Sequence, residues 1–223
     1  MGESRLERLL ARLQQFYGLL PTPPRAPFAL FVWEVLATRS LPSKRDAALT
    51  ALKRIPAVTP DAMRRAPPAK LEAAVALAGA YAEQRLRALR AGVDLFRRTP
   101  ELPSVIRGPL PAAVRTLERL PRVGESLTRR MLLFAADRPV FPIDRGLHRV
   151  ARRLGYGSPA HDGRRSVPVV QRALRRELRR EVSAMRRASV YLSHHASVTC
   201  TERDPRCGAC PLLADCPHGQ QRA

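Results

Sequence analysis

Cys200-Thr-Glu-Arg-Asp-Pro-Arg-Cys207-Gly-Ala-Cys210-Pro-Leu-Leu-Ala-Asp-Cys216 holds all four cysteines of a chain of 223 residues. Their spacing is C-x6-C-x2-C-x5-C. Four thiolates this close in sequence can bind a [4Fe–4S] cluster, one iron each, or a single tetrahedral zinc ion. Two disulfides are a less favoured alternative, because they are typical of small secreted domains. The spacing alone therefore predicts a metal site and leaves the cluster and zinc both open.

The charge of the chain is strongly positive. Lysine and arginine number 40 against 19 aspartates and glutamates, which gives a formal net charge of +21. The only lysines are Lys44, Lys53 and Lys70, so arginine has almost replaced lysine. A bias of that kind exchanges lysine for arginine without raising the net charge. We therefore expect a polyanionic partner, with nucleic acid favoured over a membrane surface.

Helical periodicity recurs from one end of the chain to the other. Apolar residues from Leu6 to Tyr17 follow helical spacing and predict an amphipathic opening helix. A later stripe predicts a second such helix, with arginines on its other side that face either DNA or solvent. The stripe consists of Val170, Leu174, Leu178, Val182 and Met185. We find no strand pair and no repeat, so the sequence predicts an all-α fold.

A short turn, Leu120-Pro-Arg-Val-Gly124, separates two predicted helical segments. The pattern is typical of a helix-hairpin-helix, in which amides at the mouth of the second helix attract a phosphate. Gly124 would let a DNA backbone approach. Twenty residues further on, Asp144 precedes a predicted helix that starts near Arg145. By residue type alone, Asp144 is best explained as the cap of that helix.

Taken together, these motifs resemble the endonuclease III superfamily of DNA glycosylases. Leu-Pro-x-Val-Gly124, Arg138-Pro139, Ile143-Asp144 and Arg149-Val150 are in register with it, and Pro-Arg-Cys-Gly-x-Cys and His195 match around the cysteines. The resemblance implies two helical subdomains that flank a DNA-binding cleft. Its implied subdomains are a six-helix barrel at 26–137 with its hairpin at 120–126, a lobe of 1–25 plus 138–199, and a cluster loop at 200–216. It also implies a [4Fe–4S] cluster on Cys200, Cys207, Cys210 and Cys216.

The resemblance implies excision of a damaged or mispaired base that is flipped out of double-stranded DNA. Asp144 matches the carboxylate that stabilises the oxocarbenium-like sugar or activates water. Ser126 occupies the position of the lysine nucleophile of bifunctional members, and no lysine follows Lys70. Arginine stays protonated and cannot replace it. We therefore expect hydrolysis with little or no lyase activity, as in the adenine-excising branch.

Further residues receive roles by the same resemblance. Glu34 matches the glutamate that protonates the leaving base, and burial favours the protonated carboxyl that this role requires. An exposed glutamate on a partly buried helix is the alternative. Arg39 aligns with a glutamine that fills the gap left by the flipped base, and a solvated arginine is again the alternative. The expected contacts with the DNA backbone are Arg122, Val123, Gly124, Arg203 and Arg206.

The sequence departs from the adenine-excising branch near these residues. Ala37-Thr38-Arg39-Ser40 replaces two expected glutamines, and the Gly-Leu-Gly-Tyr-Tyr signature is reduced to Gly79-Ala80-Tyr81. A catalytically degenerate protein that recognises lesions or abasic sites without excision is therefore the alternative function. A zinc-loop DNA-binding module is a third. No membrane segment and no leader are apparent, so we expect a monomeric, cytoplasmic, nucleoid-associated protein.

Overall fold

The computed structural model describes residues 2–120, 123–157 and 166–222. Within these ranges the chain forms thirteen α-helices, two short 3₁₀ turns and no strand, which confirms the all-α prediction. The helices are α1 Arg5–Tyr17, α2 Pro27–Ala37, α3 Pro42–Arg54, α4 Pro60–Arg65, α5 Pro68–Ala76, α6 Ala82–Arg98, α7 Leu102–Val105, α8 Leu110–Leu117, α9 Glu125–Ala135, α10 Arg145–Arg153, α11 Val167–Glu177, α12 Val182–Val198 and α13 Pro217–Gln220. Among the described helices, none has the length and apolar character needed to cross a bilayer.

The chain divides into two compact units. One unit, residues 23–138, contains α2 to α9, six of which have eight or more residues. The other combines residues 1–22 with 139–223 and therefore contains α1 and α10 to α13. The bounds 26–137, 1–25 plus 138–199 and 200–216, and the cleft between the subdomains, stay predictions.

The core of the first unit forms around α2. This helix is apolar on nearly every face, as expected for a helix enclosed by others, and it packs against α3, α6 and α9. Gly92 allows α6 to approach α2 closely, because a Cβ at this position would lie 2.2 Å from Cε1 of Phe31 on α2. Phe31 is fully buried and cannot simply move aside.

The core of the second unit forms where α1 and α10 pack on α12. The predicted opening helix is confirmed as α1, with Leu6, Leu9, Leu10 and Leu13 on its buried face. Ser4 and Glu7 form a capping box at its first turn. The carboxylate of Glu177 accepts a further hydrogen bond from the Leu6 amide at 2.5 Å.

The predicted single helix through Val170 and Met185 is wrong. Helix α11 ends at Glu177 and α12 begins at Val182, and between them Arg179 and Arg180 have left-handed φ angles of 49° and 60°. The apolar stripe continues across the break because both helices bury the same face in one core. The spacing of apolar residues in the sequence therefore could not show that a turn lies at Arg179 and Arg180.

Candidate active site and cysteine loop

The four cysteines of the cysteine loop, residues 200–216, line one cavity. Its empty volume is about 370 Å³, which includes open solvent. Val150 and Leu154 from the end of α10 and Leu212 from the loop supply apolar walls. The structure joins none of these cysteines in a disulfide, so the disulfide alternative has no support. Four thiols around one cavity with an apolar wall suit a metal cluster.

The chemistry of the thiols fits the same group. Burial raises the pKa of Cys210 and of Cys216, and the neighbouring cysteines raise both further. Four thiolates in this space would repel one another unless a cationic group replaced their protons. Within the described ranges, no three or more His, Cys, Asp or Glu side chains converge as they would around one ion. In a [4Fe–4S] cluster each cysteine binds its own iron and the sulfurs do not share one centre.

Two arginines of α10 fasten the start of the cysteine loop. Arg149 donates to the carbonyl oxygens of Ala196 at 2.8 Å and of Cys200 at 3.0 Å. Arg153 donates to the carbonyl oxygen of Thr201 at 2.7 Å and to Sγ of Cys200 at 3.2 Å. Planar guanidinium groups can serve several acceptors at once, so these contacts hold the loop against α10.

A hydrogen-bonded chain reaches a second cysteine from α1 and α12. The hydroxyl of Tyr17 lies 2.6 Å from Oγ1 of Thr199 and 2.7 Å from Nδ1 of His195. Nε2 of the same imidazole lies 3.7 Å from Sγ of Cys210. Burial lowers the pKa of His195 to about 4, with His194 adding to the effect, and His195 is only 2% exposed. His195, which matches the superfamily pattern five residues before Cys200, therefore contacts the cysteine site.

Asp144 caps α10. Its Oδ1 accepts a hydrogen bond of 2.7 Å from the amide of Leu147, and its side chain is partly exposed. The cap expected from residue type is thus present. The same bond fixes the orientation of the carboxylate, which is a property that a catalytic carboxylate also needs.

Glu34 has a partner that the sequence did not reveal. Its carboxylate accepts a hydrogen bond of 2.7 Å from Nε of Arg130 on α9, and both side chains are 11% exposed. The guanidinium of Arg130 also lies over the ring of Phe134, at 5.4 Å from the ring centroid. Glu34 is therefore one half of a largely buried ion pair, and not an exposed glutamate.

The hairpin residues stand at the start of α9. Ser126 is the second residue of that helix and is partly exposed, and Gly124 is its N-cap. A Cβ at Gly124 would meet no atom within 4 Å, so this side of the backbone is open. Val123 is buried, and its amide already donates to the Leu120 carbonyl. Arg122 lies outside the described residues.

Arg39 and Tyr81 form an exposed pair. The guanidinium of Arg39 lies 5.3 Å from the centroid of the Tyr81 ring, and both residues have left-handed φ angles, 51° and 71°. The buried Arg85 holds both loops, because it donates to the carbonyl oxygens of Thr38 at 2.7 Å and of Gly79 at 3.1 Å. Arg39 is therefore held in place by its backbone and its aromatic neighbour.

The predicted site residues belong to both units. Glu34, Arg39, Gly124 and Ser126 lie in the unit of residues 23–138, whereas Asp144 lies in the other. The unit of Asp144 also holds the cysteines and the exposed side chains of Arg203 and Arg206. Glu34 and Ser126 come from the neighbouring helices α2 and α9, which pack together.

Sequence reasoning missed four residues that organise these sites: Arg85, Arg130, Arg153 and Tyr17. One signal was available, because Arg85 falls on the buried face of α6 with Leu89 and Gly92, where an arginine requires internal partners. Tyr17 was counted only as an apolar position. Nothing in the sequence distinguished Arg130 and Arg153, because arginines occur on most helices of this chain.

No protein-family model matches the chain. Adenine DNA glycosylase of Mycobacterium tuberculosis H37Rv is 30% identical over 218 residues, which are 92% of this chain and 64% of that protein. Endonuclease III of Bacillus subtilis is 29% identical over 120 residues, 52% of this chain and 50% of that protein. The chain thus spans between half and two thirds of the length of these relatives.

Solved structures share the fold. A trapped covalent endonuclease III–DNA intermediate has a TM-score of 0.70 at 20% identity, covering 100% of this chain and 99% of that one. A thermostable thymine-DNA glycosylase has a TM-score of 0.68 at 15% identity, covering 97% of each chain. The named relatives and the shared fold support the assignment to the endonuclease III superfamily that the motifs predicted.

Replacing Arg85 should destabilise the protein. In Arg85→Ala the carbonyl oxygens at Thr38 and Gly79 lose a buried cationic donor, and the free energy of unfolding should fall by about 3 kcal/mol. Arg85→Lys should not restore it, because an ammonium cannot reproduce the planar fork. Urea denaturation measures the change.

The matched control lies on the exposed side of the same helix. Arg87 pairs with Glu83 there, and Arg87→Ala should change the free energy of unfolding by less than about 0.5 kcal/mol. Equal losses in the two alanine variants would contradict a special role for the carbonyl contacts of Arg85.

Proposed function

We propose that this protein removes a damaged or mispaired base from double-stranded DNA by hydrolysing the N-glycosidic bond. The observation that carries this proposal is the similarity to an adenine DNA glycosylase over 92% of the chain. The fold, shared with an endonuclease III–DNA complex, supports the same assignment. The protein is proposed to act as a monomer.

Asp144 is the proposed catalytic carboxylate. Loss of the base leaves positive charge on the sugar, which a nearby carboxylate stabilises while it orients the attacking water. The hydrogen bond from the Leu147 amide to Oδ1 keeps the carboxylate in one orientation. A fixed charge of this kind does not have to reorganise as the transition state forms.

Water is the proposed nucleophile, because the hairpin has no amine at the relevant place. By the motif resemblance, Ser126 takes the position of a lysine nucleophile, and it is the second residue of α9. A serine hydroxyl is a poor nucleophile without an adjacent base, and it cannot form a Schiff base with the sugar. The expected products are therefore a free base and an intact abasic strand.

Glu34 is the proposed proton donor to the leaving base. Arg130 donates to this carboxylate at 2.7 Å, so the ion pair would have to open before Glu34 could reach a leaving base. The ion pair is therefore the specific observation that favours the alternative function, a protein that binds DNA lesions without excising them.

DNA contacts are proposed at the hairpin and at exposed arginines. The first amides of α9 have no partner within the helix, and the open side of Gly124 allows a phosphate to approach them. Arg39 is proposed to occupy the space that a flipped base leaves, with Tyr81 supporting its guanidinium. Arg203, Arg206 and Arg122 are proposed phosphate contacts.

A [4Fe–4S] cluster is the proposed occupant of the cysteine cavity, held by Cys200, Cys207, Cys210 and Cys216. When bound, it supplies cross-links between four points of a short loop. Arg149 and Arg153 hold this loop against α10, and the exposed arginines of the loop face solvent. Asp144 caps the same helix, so the cluster and the catalytic carboxylate share one structural support.

Purified protein should contain iron and sulfide in equal amounts, about four of each per chain, and show broad visible absorbance. Cys207→Ser should lose most of the iron because one iron loses its thiolate. Arg203→Ser, an exposed change in the same loop, should keep it. Zinc without iron in the parent protein would support the zinc-loop alternative instead.

Asp144→Asn should lower the excision rate at least about 100-fold on whichever lesion the parent removes. The amide oxygen of asparagine can still accept from Leu147, so the fold should persist and only the charge should be lost. A panel of duplexes with oxidised, alkylated and mispaired bases under single-turnover conditions provides the measurement.

Thr59→Asn provides the matched control, because it replaces one capping side chain by another at α4 and should leave excision unchanged. Glu34→Gln belongs in the same series: excision should slow if Glu34 donates a proton, and an unchanged rate would exclude that role. Tight binding with no lesion removed by the parent would establish the non-excising alternative.

Borohydride should trap little covalent adduct between the protein and abasic DNA, because no lysine follows Lys70. Endonuclease III serves as the positive control in the same gel assay. A high yield of adduct would contradict hydrolysis by water, and peptide mapping would then show whether Lys44, Lys53, Lys70 or the terminal amine had reacted.

A further inference from the structure

Two loops in the unit that contains α2 to α9 are bonded to each other, residues 38–41 and residues 77–81. Buried Arg85 donates to carbonyl oxygens in both of them, at 2.7 Å in the first loop and at 3.1 Å in the second. The hydroxyl of Ser40 adds a direct bond between the loops, because it donates to the Ala78 carbonyl at 2.8 Å. These bonds engage the backbone of both loops and therefore fix one loop relative to the other.

The two loops hold Arg39 and Tyr81 together at the surface. Both residues have left-handed φ angles, 51° and 71°, and the guanidinium of Arg39 lies 5.3 Å from the centroid of the Tyr81 ring. Tyr81 is 47% exposed, so the pair is open to a large ligand. A charged group that already rests on an aromatic ring loses little freedom when it binds.

The guanidinium of Arg39 is available to such a ligand. Among the described residues, no hydrogen bond and no ion pair engages it. Other exposed arginines of the same unit differ, since Arg87 pairs with Glu83 and Arg90 pairs with Glu72. The N–H groups of Arg39 can therefore serve an incoming acceptor, and a guanidinium has no acceptor of its own.

Hydrogen-bond chemistry then favours one base. When a base is flipped out of the duplex, the Watson–Crick edge of the base opposite faces the gap. On that edge cytosine presents two adjacent acceptors, O2 and N3. Guanine and adenine present a single acceptor beside donors, and thymine has a donor between its two acceptors. A fork of two parallel N–H donors therefore fits cytosine best.

We propose that Arg39 contacts the base opposite the excised one and selects cytosine, so that the substrate is a damaged guanine. Guanine is the base that pairs with cytosine, which connects the opposite base to the class of lesion. This inference rests on the proposed function and on the proposed place of Arg39 in the gap of the flipped base. It adds the identity of the substrate base, which the catalytic carboxylate does not define.

Duplexes with a tetrahydrofuran analogue of an abasic site test the contact without a known lesion, because the gap is already present. Fluorescence anisotropy gives the dissociation constants with dC, dG, dA or dT opposite the analogue, and an intact duplex is the reference. We expect the tightest binding opposite cytosine, by about tenfold, since a bidentate contact between arginine and a base provides discrimination of this size.

Two replacements of Arg39 separate the fork from the charge. Arg39→Met removes every donor and should abolish the preference for cytosine. Arg39→Lys keeps the charge and should retain most of the overall affinity, but it should lose most of the preference because an ammonium cannot form the planar fork. Urea denaturation should give the same midpoint for both variants, since the side chain of Arg39 holds no other element in place.

Arg90→Met is the matched control. It removes the same charge from an exposed arginine of the same unit, and the preference for cytosine should remain. A second pair of variants tests the aromatic support of the guanidinium. Tyr81→Phe should keep the preference because the ring remains, whereas Tyr81→Leu should reduce it.

The binding results decide the contact. Equal affinities opposite the four bases, a preference for another base, or a preference for cytosine that survives in Arg39→Met would each overturn it. Equal losses in Tyr81→Phe and Tyr81→Leu would overturn the role of the ring. A parent protein that binds no abasic duplex more tightly than the intact one would contradict the proposed function itself, which is a different result.

Excision assays decide the class of lesion. Within the lesion panel, we expect the parent to release oxidised or alkylated guanine opposite cytosine. Release of pyrimidine lesions alone, which are opposite purines in the duplex, would overturn the assignment of guanine. If the parent excises nothing, the abasic duplexes still show whether Arg39 selects cytosine.

Discussion

Bonds from guanidinium groups to backbone carbonyl oxygens are the interaction on which the rest of this structure depends. Among the described residues, five arginines each donate to two or more carbonyl oxygens, mainly at helix ends and in loops: Arg5, Arg85, Arg138, Arg149 and Arg153. Helix ends leave carbonyl oxygens unpaired, and a planar group with five N–H donors can satisfy several at once. These bonds hold the loops that carry the proposed functional residues.

This use of arginine changes the meaning of the net charge. A value of +21 favours a polyanionic partner, but some of the positive groups are engaged inside the units and cannot all face a phosphate backbone. Arg85 is the extreme case, at 2% exposure. The charge available to DNA comes instead from exposed side chains such as Arg39, Arg203 and Arg206. Their positions depend in turn on the buried arginines.

Local patterns predicted the helices well and the turns less well. The apolar spacing of α1 and the cap at Asp144 were visible because each depends on residues a few positions apart. The turn at Arg179 and Arg180 was not, since neither glycine nor proline marks it and the apolar stripe passes through it. The sequence also did not reveal the contacts of Glu34 with Arg130 and of His195 with Tyr17. Glu34 was therefore interpreted without its ion-pair partner.

The sequence by itself determined the helical class, the grouping of the cysteines and the absence of a lysine near the hairpin, because these are matters of spacing and residue type. Only the tertiary structure decided which side chains meet. Arg130 reaches Glu34 across 96 residues, and Tyr17 reaches His195 across 178. Such partners are brought together by the packing of distant helices, and periodicity contains no information about which buried faces will meet.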